Sequence, residues 1–197
     1  MIRKSLLILS LSGLSYFAKA QIPALKSNTS SAEKEASVIF GSFYGQYDFI
    51  ISYTRESYWW SNKRSFGILG YRQGHWEKLL LNEKQRKDGK WSKPAIHKIG
   101  LNQNAADSII NFFNQNGFWR LDRDSLNINQ RKIDDNKNQL FSISDGVNYK
   151  FEIMSKQEFL IIESYEPDYL LEKIPEIKCR ETFIKCRNFF VSQFNKK

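Results

Sequence analysis

The side chains of this chain with the clearest chemical use are its two cysteines, Cys179 and Cys186. A disulfide between them is the first expectation in an oxidising compartment, and it would stabilise the fold by roughly 2.5 kcal/mol. On one continuous helix, residues seven apart are separated by about 10.5 Å along the axis, beyond the roughly 7 Å that a disulfide allows between Cα atoms. A disulfide is therefore possible only if the last helix begins after Cys179, and we predict the disulfide on that condition. Two buried thiols on one helix are the alternative.

The sequence lacks the patterns from which metal sites and enzyme nucleophiles are usually identified. His75 and His97 are the only histidines, and no H-x-x-x-H or C-x-x-C spacing occurs. The run that begins at Asp122 starts like a calcium loop, but Asn127 stands where glycine is needed and Ile133 where glutamate is needed. No G-x-S-x-G, P-loop or Rossmann glycine pattern occurs. We predict no metal, no cofactor and no catalytic residue.

Carboxylates leave one enzymatic alternative open. A glycosidase needs only two acids at a set separation, and the second half of the chain offers Asp122, Asp124, Asp134, Asp135 and Glu163. Because the sequence cannot place two of them across a cleft, we prefer loop and helix-cap roles for them. A carboxylate-dependent envelope hydrolase stays an alternative.

Aromatic side chains are the candidates for a binding surface. Tyr58, Trp59 and Trp60 are consecutive, and Trp91 follows a turn signal at positions 88–89. Successive residues of an extended segment point to opposite faces, so one of Trp59 and Trp60 is expected at the surface. We predict Tyr58, Trp59, Trp60 and Trp91 as binding residues, with core packing as the competing interpretation.

The formal net charge of the whole chain is +9, and positive charge is concentrated in its first half. Positions 55–98 hold 11 Lys or Arg against 4 acids, whereas positions 99–178 hold 9 against 13. Clustered cations bind polyanions through counterion release, so a polyanion or membrane-surface binder is a further alternative. A solvated basic hairpin tip at positions 84–90 explains many of the same charges, and it is the preferred interpretation.

The first twenty residues have the features of an export signal. Arg3 and Lys4 precede an apolar stretch at positions 5–17, and an A-x-A site predicts cleavage between Ala20 and Gln21. The stretch is shorter than the about 20 apolar residues of a membrane span. No cysteine lies nearby for lipid attachment. We expect a periplasmic or extracellular protein that does not span the membrane after cleavage and does not bind nucleic acid.

The rest of the chain predicts one domain. Positions 26–36 are small and polar, so positions 21–36 predict a flexible N-terminal arm, while positions 37–197 are long enough to bury one core. Apolar residues alternate at positions 47–53, and β-prone runs continue to position 99. A helix then follows, with Asn102 or Asn104 as its cap, Gly117 at its end, and an apolar face formed by Ala106, Ile109, Ile110 and Phe113.

Positions 140–164 predict a three-stranded meander. Loops of three residues would place Ile143 opposite Val147 and Ile153 opposite Phe159. Pro167 and Pro175 predict the first turns of two C-terminal helices. The result is an α+β fold of antiparallel meanders, with about 7 to 8 strands, one mid-chain helix, and C-terminal helices packed on the sheet.

Four segments carry a family resemblance: the cleavage context at positions 18–21, positions 118–121, positions 144–151 and positions 164–167. On these residues the chain resembles the short exported hypothetical proteins of Bacteroidetes-type bacteria. The resemblance implies no activity and no site residue. Our leading hypothesis is a monomeric, exported interaction module that binds a protein, peptide or glycan of the cell envelope and is not an enzyme.

Overall fold

The structure is a computed structural model that describes residues 21–57, 62–134, 137–156 and 158–195. Two predicted features lie outside the described residues: Ala20, with the leader that precedes it, and the aromatic run Tyr58, Trp59 and Trp60. Within the described part, eight strands in antiparallel sheets and six α-helices form the α+β fold that the sequence predicts.

The strands form one large sheet and one small hairpin. In chain order they are β1 (Phe49–Ser57), β2 (Lys63–Arg72), β3 (His75–Lys84), β4 (Ala95–Ile99), β5 (Gln130–Asp134), β6 (Lys137–Leu140), β7 (Val147–Ser155) and β8 (Glu158–Tyr165). The six-stranded antiparallel sheet has the order β4-β3-β2-β1-β7-β8, and β5 pairs only with β6. The first four strands are therefore a meander, and β1 joins it to the β7–β8 hairpin.

The helices are α1 (Ser31–Ala36), α2 (Val38–Phe43), α3 (Gln103–Gln115), α4 (Arg123–Leu126), α5 (Pro167–Lys173) and α6 (Cys179–Phe194), with a 3₁₀ turn at Phe118–Arg120. The prediction for α3 is confirmed: the side chain of Asn102 accepts a hydrogen bond from the Asn104 N–H, and Gly117 follows the helix with φ +69°. Among the described residues, no helix is both long and apolar enough to cross a membrane.

The main core lies on one face of the large sheet, which we call the helical face because α3 and α6 cover it. Phe151 of β7 is fully buried at its centre. The rings of Phe118 and Phe190 approach it edge-on, with centroids 5.0 and 5.5 Å away. Alternation along each strand directs every second side chain into this layer, so α6 can pack on it with its own apolar stripe.

The opposite face is covered by the N-terminal segment. Ile39 and Phe43 of α2 are buried there in the cluster that includes Ile50 and Phe66. The N-terminal arm predicted at positions 21–36 also contacts the sheet, and its flexibility stays a prediction. Asn28 exchanges two hydrogen bonds with the backbone of Ile161, at 2.7 and 2.9 Å. Because an edge strand such as β8 otherwise exposes unpaired backbone groups, the arm has a structural partner in the sheet.

The predicted pairing within positions 140–164 is wrong in both hairpins. Ile143 lies outside the strands, β6 pairs with β5, and β7 pairs with β1. In the second hairpin Ile153 lies opposite Leu160, not Phe159. Because β8 is buried on both faces, either register places apolar side chains on each face. The alternation therefore could not distinguish the two registers.

The predicted disulfide is also wrong. Cys179 is the first residue of α6 and Cys186 lies within the same helix, so both are free thiols. The helical rise separates them by about 10.5 Å. Burial raises the pKa of the Cys186 thiol to about 12. Pro175 precedes α6 and does not begin it, whereas Pro167 is in the first turn of α5 as predicted.

Candidate functional site

Helix α6 covers only part of the helical face, and the remainder forms a cleft of about 990 Å³. The floor of the cleft is made by the end of β1 and the beginnings of β2 and β7, and its wall by the second half of α6. The described residues that line it include three cations, Arg55, Lys63 and Arg187. Asp and Glu are absent from the described lining.

The strand register determines which side chains share the floor. Arg55 lies opposite Tyr149, and Tyr53 lies opposite Gly67. A Cβ atom at Gly67 would lie 3.1 Å from the ring of Phe194. Glycine therefore lets the end of α6 approach the sheet closely, and this approach forms one side of the cleft.

Arg187 is the most constrained cation of the cleft. Its guanidinium donates to both carboxylate oxygens of Asp168, at 2.6 and 3.0 Å. The hydrogen bond from Arg187 lowers the pKa of the Asp168 carboxyl. The guanidinium also lies over the ring of Tyr149, with its Cζ atom 4.6 Å from the centroid. Because its charge is balanced by Asp168, Arg187 serves mainly to hold the Tyr149 ring in place.

Arg55 provides the charge that faces solvent. It is an exposed residue, and its Cζ atom lies 5.9 Å from the centroid of Tyr149 on β7. No ion pair of Arg55 is found among the described residues. A guanidinium beside an aromatic ring at the rim of a cleft, with no carboxylate on the lining, attracts anions.

Tyr53 supplies a neutral donor to the same floor. Burial raises the pKa of its phenol to about 12, although the nearby charges of Arg187 and Arg55 act in the opposite direction. The phenol therefore remains protonated near neutral pH. Its hydroxyl can donate a hydrogen bond to a ligand oxygen.

A second, smaller cavity of about 410 Å³ adjoins the cleft on the β3–β4 side. The two cavities share Lys63 and Ser65, and the second also has Lys84 and Lys93 on its lining. Its one acid, Glu83, accepts a hydrogen bond of 2.5 Å from Arg64. The cationic surface is therefore continuous from one cavity to the other.

The tryptophans of the described residues are mostly structural. The Trp76 ring is buried, and its Nε1 donates to Asp107 at 2.9 Å. Trp91, a predicted binding residue, does not line the cleft; the Arg64 guanidinium lies over its ring, with Cζ 4.2 Å from the centroid. The sequence reasoning missed Tyr149 and Arg187. Their only signals were strand alternation and helix position, which do not indicate where a helix stops covering a sheet.

At least one of the acids considered for a hydrolase is a helix cap, the role preferred for them from the sequence. Asp122 caps α4 by accepting from the Ser125 N–H at 2.8 Å, and Glu163 accepts from Asn148 at 2.9 Å. Asp124 lies in the first turn of α4 and Asp134 on β5, while Asp135 lies outside the described residues. Within the described ranges, no cluster of three or more His, Cys, Asp or Glu could hold a metal ion.

Two acids on the opposite face of the sheet share one lysine. Lys150 Nζ lies 2.9 Å from Glu152 and 3.3 Å from Glu56. Burial acts to lower the pKa of Lys150, but the two carboxylates outweigh burial and raise it. Glu152 also accepts a hydrogen bond of 2.7 Å from Ser37, the cap of α2. This network attaches the N-terminal helices to the sheet.

No protein-family model matches the chain, and no curated protein is found to be similar to it in sequence. The cleft geometry is therefore the basis on which a function can be inferred.

Proposed function

We propose that this chain is an exported binding protein whose cleft holds the negatively charged group of its ligand. The observation that carries the proposal is the composition of the cleft, which combines Arg55, Lys63 and Arg187 with tyrosine rings and has no carboxylate on its described lining. Val191 and Phe194 on the α6 side are half-buried and offer apolar surface for the rest of a ligand. We expect a monomer that needs no cofactor.

The physical basis is electrostatic. A guanidinium donates two parallel hydrogen bonds to a carboxylate, sulfate or phosphate group, and such bonds are shorter and stronger than neutral ones. Low-dielectric walls concentrate the field of the cations in the cleft. Arg55 is the anchor in this proposal, because the charge of Arg187 is already balanced by Asp168.

The hydrolase alternative has less support. Glycosidases flank the scissile bond with two carboxyl groups separated by roughly 5 to 9.5 Å. The described lining of the cleft offers none. Glu56 and Glu152 have Lys150 between them and belong to the network that anchors α2.

Export is part of the proposal, and it rests on the leader. Expression of the full chain in a bacterial host, followed by fractionation and intact-mass measurement, tests it. We expect a periplasmic or secreted product that begins at Gln21. A cytoplasmic product that retains positions 1–20 would contradict it.

The cleft is tested with small anions and two variants of equal net charge. We expect digalacturonate, at low ionic strength, to shift the NMR signals of the Tyr53 and Tyr149 rings. Arg55→Gln should weaken this binding by about tenfold. Lys137→Gln, which removes an exposed lysine from the separate β5–β6 hairpin, should leave it unchanged. Equal effects of the two variants, or no shift with digalacturonate, sulfate or phosphate, would contradict the proposal.

A further inference from the structure

We propose that the ligand is an acidic polysaccharide that runs from the cleft across the sheet into the second cavity. This inference rests on the proposed function and specifies the ligand class. Arg55, Lys63, Lys84 and Lys93, which we call the cationic track, are the residues that would contact successive acidic groups of the chain.

The register of the sheet places these four cations on neighbouring strands. Lys63 of β2 lies opposite Lys84 of β3. The backbone N–H of Ser92 donates to the Lys84 carbonyl at 2.8 Å, which places Lys93 beside the end of β3. Arg55 is on β1, on the side of the sheet that the cleft exposes. The track therefore has one cation for each of β1, β2 and β3, and a fourth just before β4.

The length of the track favours an extended ligand over a small one. Neighbouring strands are about 4.8 Å apart, so the track from β1 to β4 is roughly 14 Å long. A single small anion would contact one or two of the cations. A chain that repeats its acidic groups would contact all of them and release a counterion at each contact.

The neutral side chains of the track favour a sugar chain over an acidic peptide. Between the cations the linings present hydroxyl and amide groups: Ser65, Asn82 and Ser92. The Ser65 hydroxyl donates to the Asn82 side-chain oxygen at 2.6 Å, and each of these groups has further capacity to bond a sugar hydroxyl. An extended peptide would typically pair its backbone with an open strand edge, whereas the track crosses β1, β2 and β3, which are interior strands of the sheet.

The shape of the site favours a polymer chain over a membrane surface as the ligand. Arg55 and Tyr149 line a cleft beside the wall that α6 forms. A flat bilayer would meet the rim of such a cleft, whereas a single polymer chain can lie on its floor.

Calorimetric titration of residues 21–197 with hexagalacturonate tests the inference. We expect Arg55→Gln, Lys84→Gln and Lys93→Gln each to weaken binding about threefold to tenfold, with Lys137→Gln as the unchanged control. The slope of log K against log salt should fall by about 0.7 to 0.9 for each track cation removed. Digalacturonate should bind more weakly and respond to Arg55→Gln but not to Lys93→Gln. Unaltered thermal unfolding of the variants confirms that they fold.

Three results would overturn the inference and leave the proposed function intact. In the first, digalacturonate binds as tightly as hexagalacturonate and Lys84→Gln has no effect. In the second, hexaglutamate binds more tightly than hexagalacturonate. In the third, the protein binds anionic phosphatidylglycerol vesicles more tightly than hexagalacturonate. Absence of binding to every anionic probe would contradict both proposals.

Discussion

The covered and the open parts of the helical face are built from the same strands, yet they differ completely in chemistry. On β7, Phe151 is fully buried beneath α6, whereas Tyr149, two residues earlier on the same face, lines the cleft. On β3, Leu80 gives way to Asn82 and then Lys84. A step of two residues along a strand thus changes an apolar core into a basic surface.

The difference teaches that the end of α6, and not the sheet, separates core from cleft. The Lys78 ammonium group donates to the carbonyl of Phe194 at that end, and the Phe194 ring packs near Gly67. Residues beyond this point on each strand lose the cover of α6. Five substitutions test this division and its surroundings, beginning with the largest expected effect.

Phe151→Ala should remove about 3 to 5 kcal/mol from the free energy of unfolding, because it deletes a ring that several other rings surround. Urea denaturation followed by circular dichroism measures this loss. Tyr149→Ala is the matched change in the open part and should cost clearly less. Equal losses would mean that the two parts of the face are not distinct.

Gly67→Ala should lower the free energy of unfolding by about 1 to 3 kcal/mol and move the end of α6 away from the sheet. The added methyl would lie 3.1 Å from the Phe194 ring. Thermal unfolding and the NMR shifts of Phe194 report the two effects. Gly41→Ala on α2 is the control, since its Cβ would meet nothing within 4 Å. A neutral Gly67→Ala would show that α6 does not depend on this close approach.

Glu77 lies outside the cleft, and it forms ion pairs with Arg72 and Lys98. Hydrogen bonds from Lys98, Tyr47 and Arg72 lower the pKa of its carboxyl from 4.5 to about 2. A lowered folded-state pKa contributes stability above the unfolded value, and this contribution is lost as the pH falls from about 4.5 to about 2.

Glu77→Gln should therefore cost about 1 kcal/mol near neutral pH, since screening reduces the ion pairs, and should flatten the pH dependence of unfolding in that window. Chemical denaturation at several pH values measures it. An unchanged pH profile would show that these ion pairs do not stabilise the fold.

Arg55→Gln and Lys84→Gln should change the free energy of unfolding by less than about 0.5 kcal/mol, because both side chains are exposed. The same variants should weaken anion binding. A large loss of stability in either would mean that the open part is structural. This expected loss of stability is the smallest of the series, whereas that of Phe151→Ala is the largest.

Signals from neighbouring residues in the sequence were sufficient to predict single elements such as α3. The cap at Asn102 and the left-handed Gly117 predict α3 because a helix end depends on its own few residues. Alternation predicts which residues of β1 and β7 share a face. It does not identify strand partners, so the pairing of β7 with β1 was missed.

The cleft depends on contacts between distant segments, and this is why it was predicted only in part. Arg55 belongs to the basic half that the sequence identifies, but Tyr149 and Arg187 come from segments far along the chain. They meet Arg55 only because β1 pairs with β7 and α6 crosses both. The predicted disulfide failed because α6 begins at Cys179, so that both cysteines lie on one helix.

The central position of the β1–β7 pair also affects how the chain folds. Ile50 pairs with Met154, so the middle of the large sheet joins segments about one hundred residues apart. The β1–β4 meander can form early from neighbouring strands, but β1 keeps an open edge until β7 arrives. Loop closure over this distance costs entropy before any pairing is gained. The last major step of folding is therefore expected to be the addition of the β7–β8 hairpin, and a chain that ends before Val147 would expose an edge prone to aggregation.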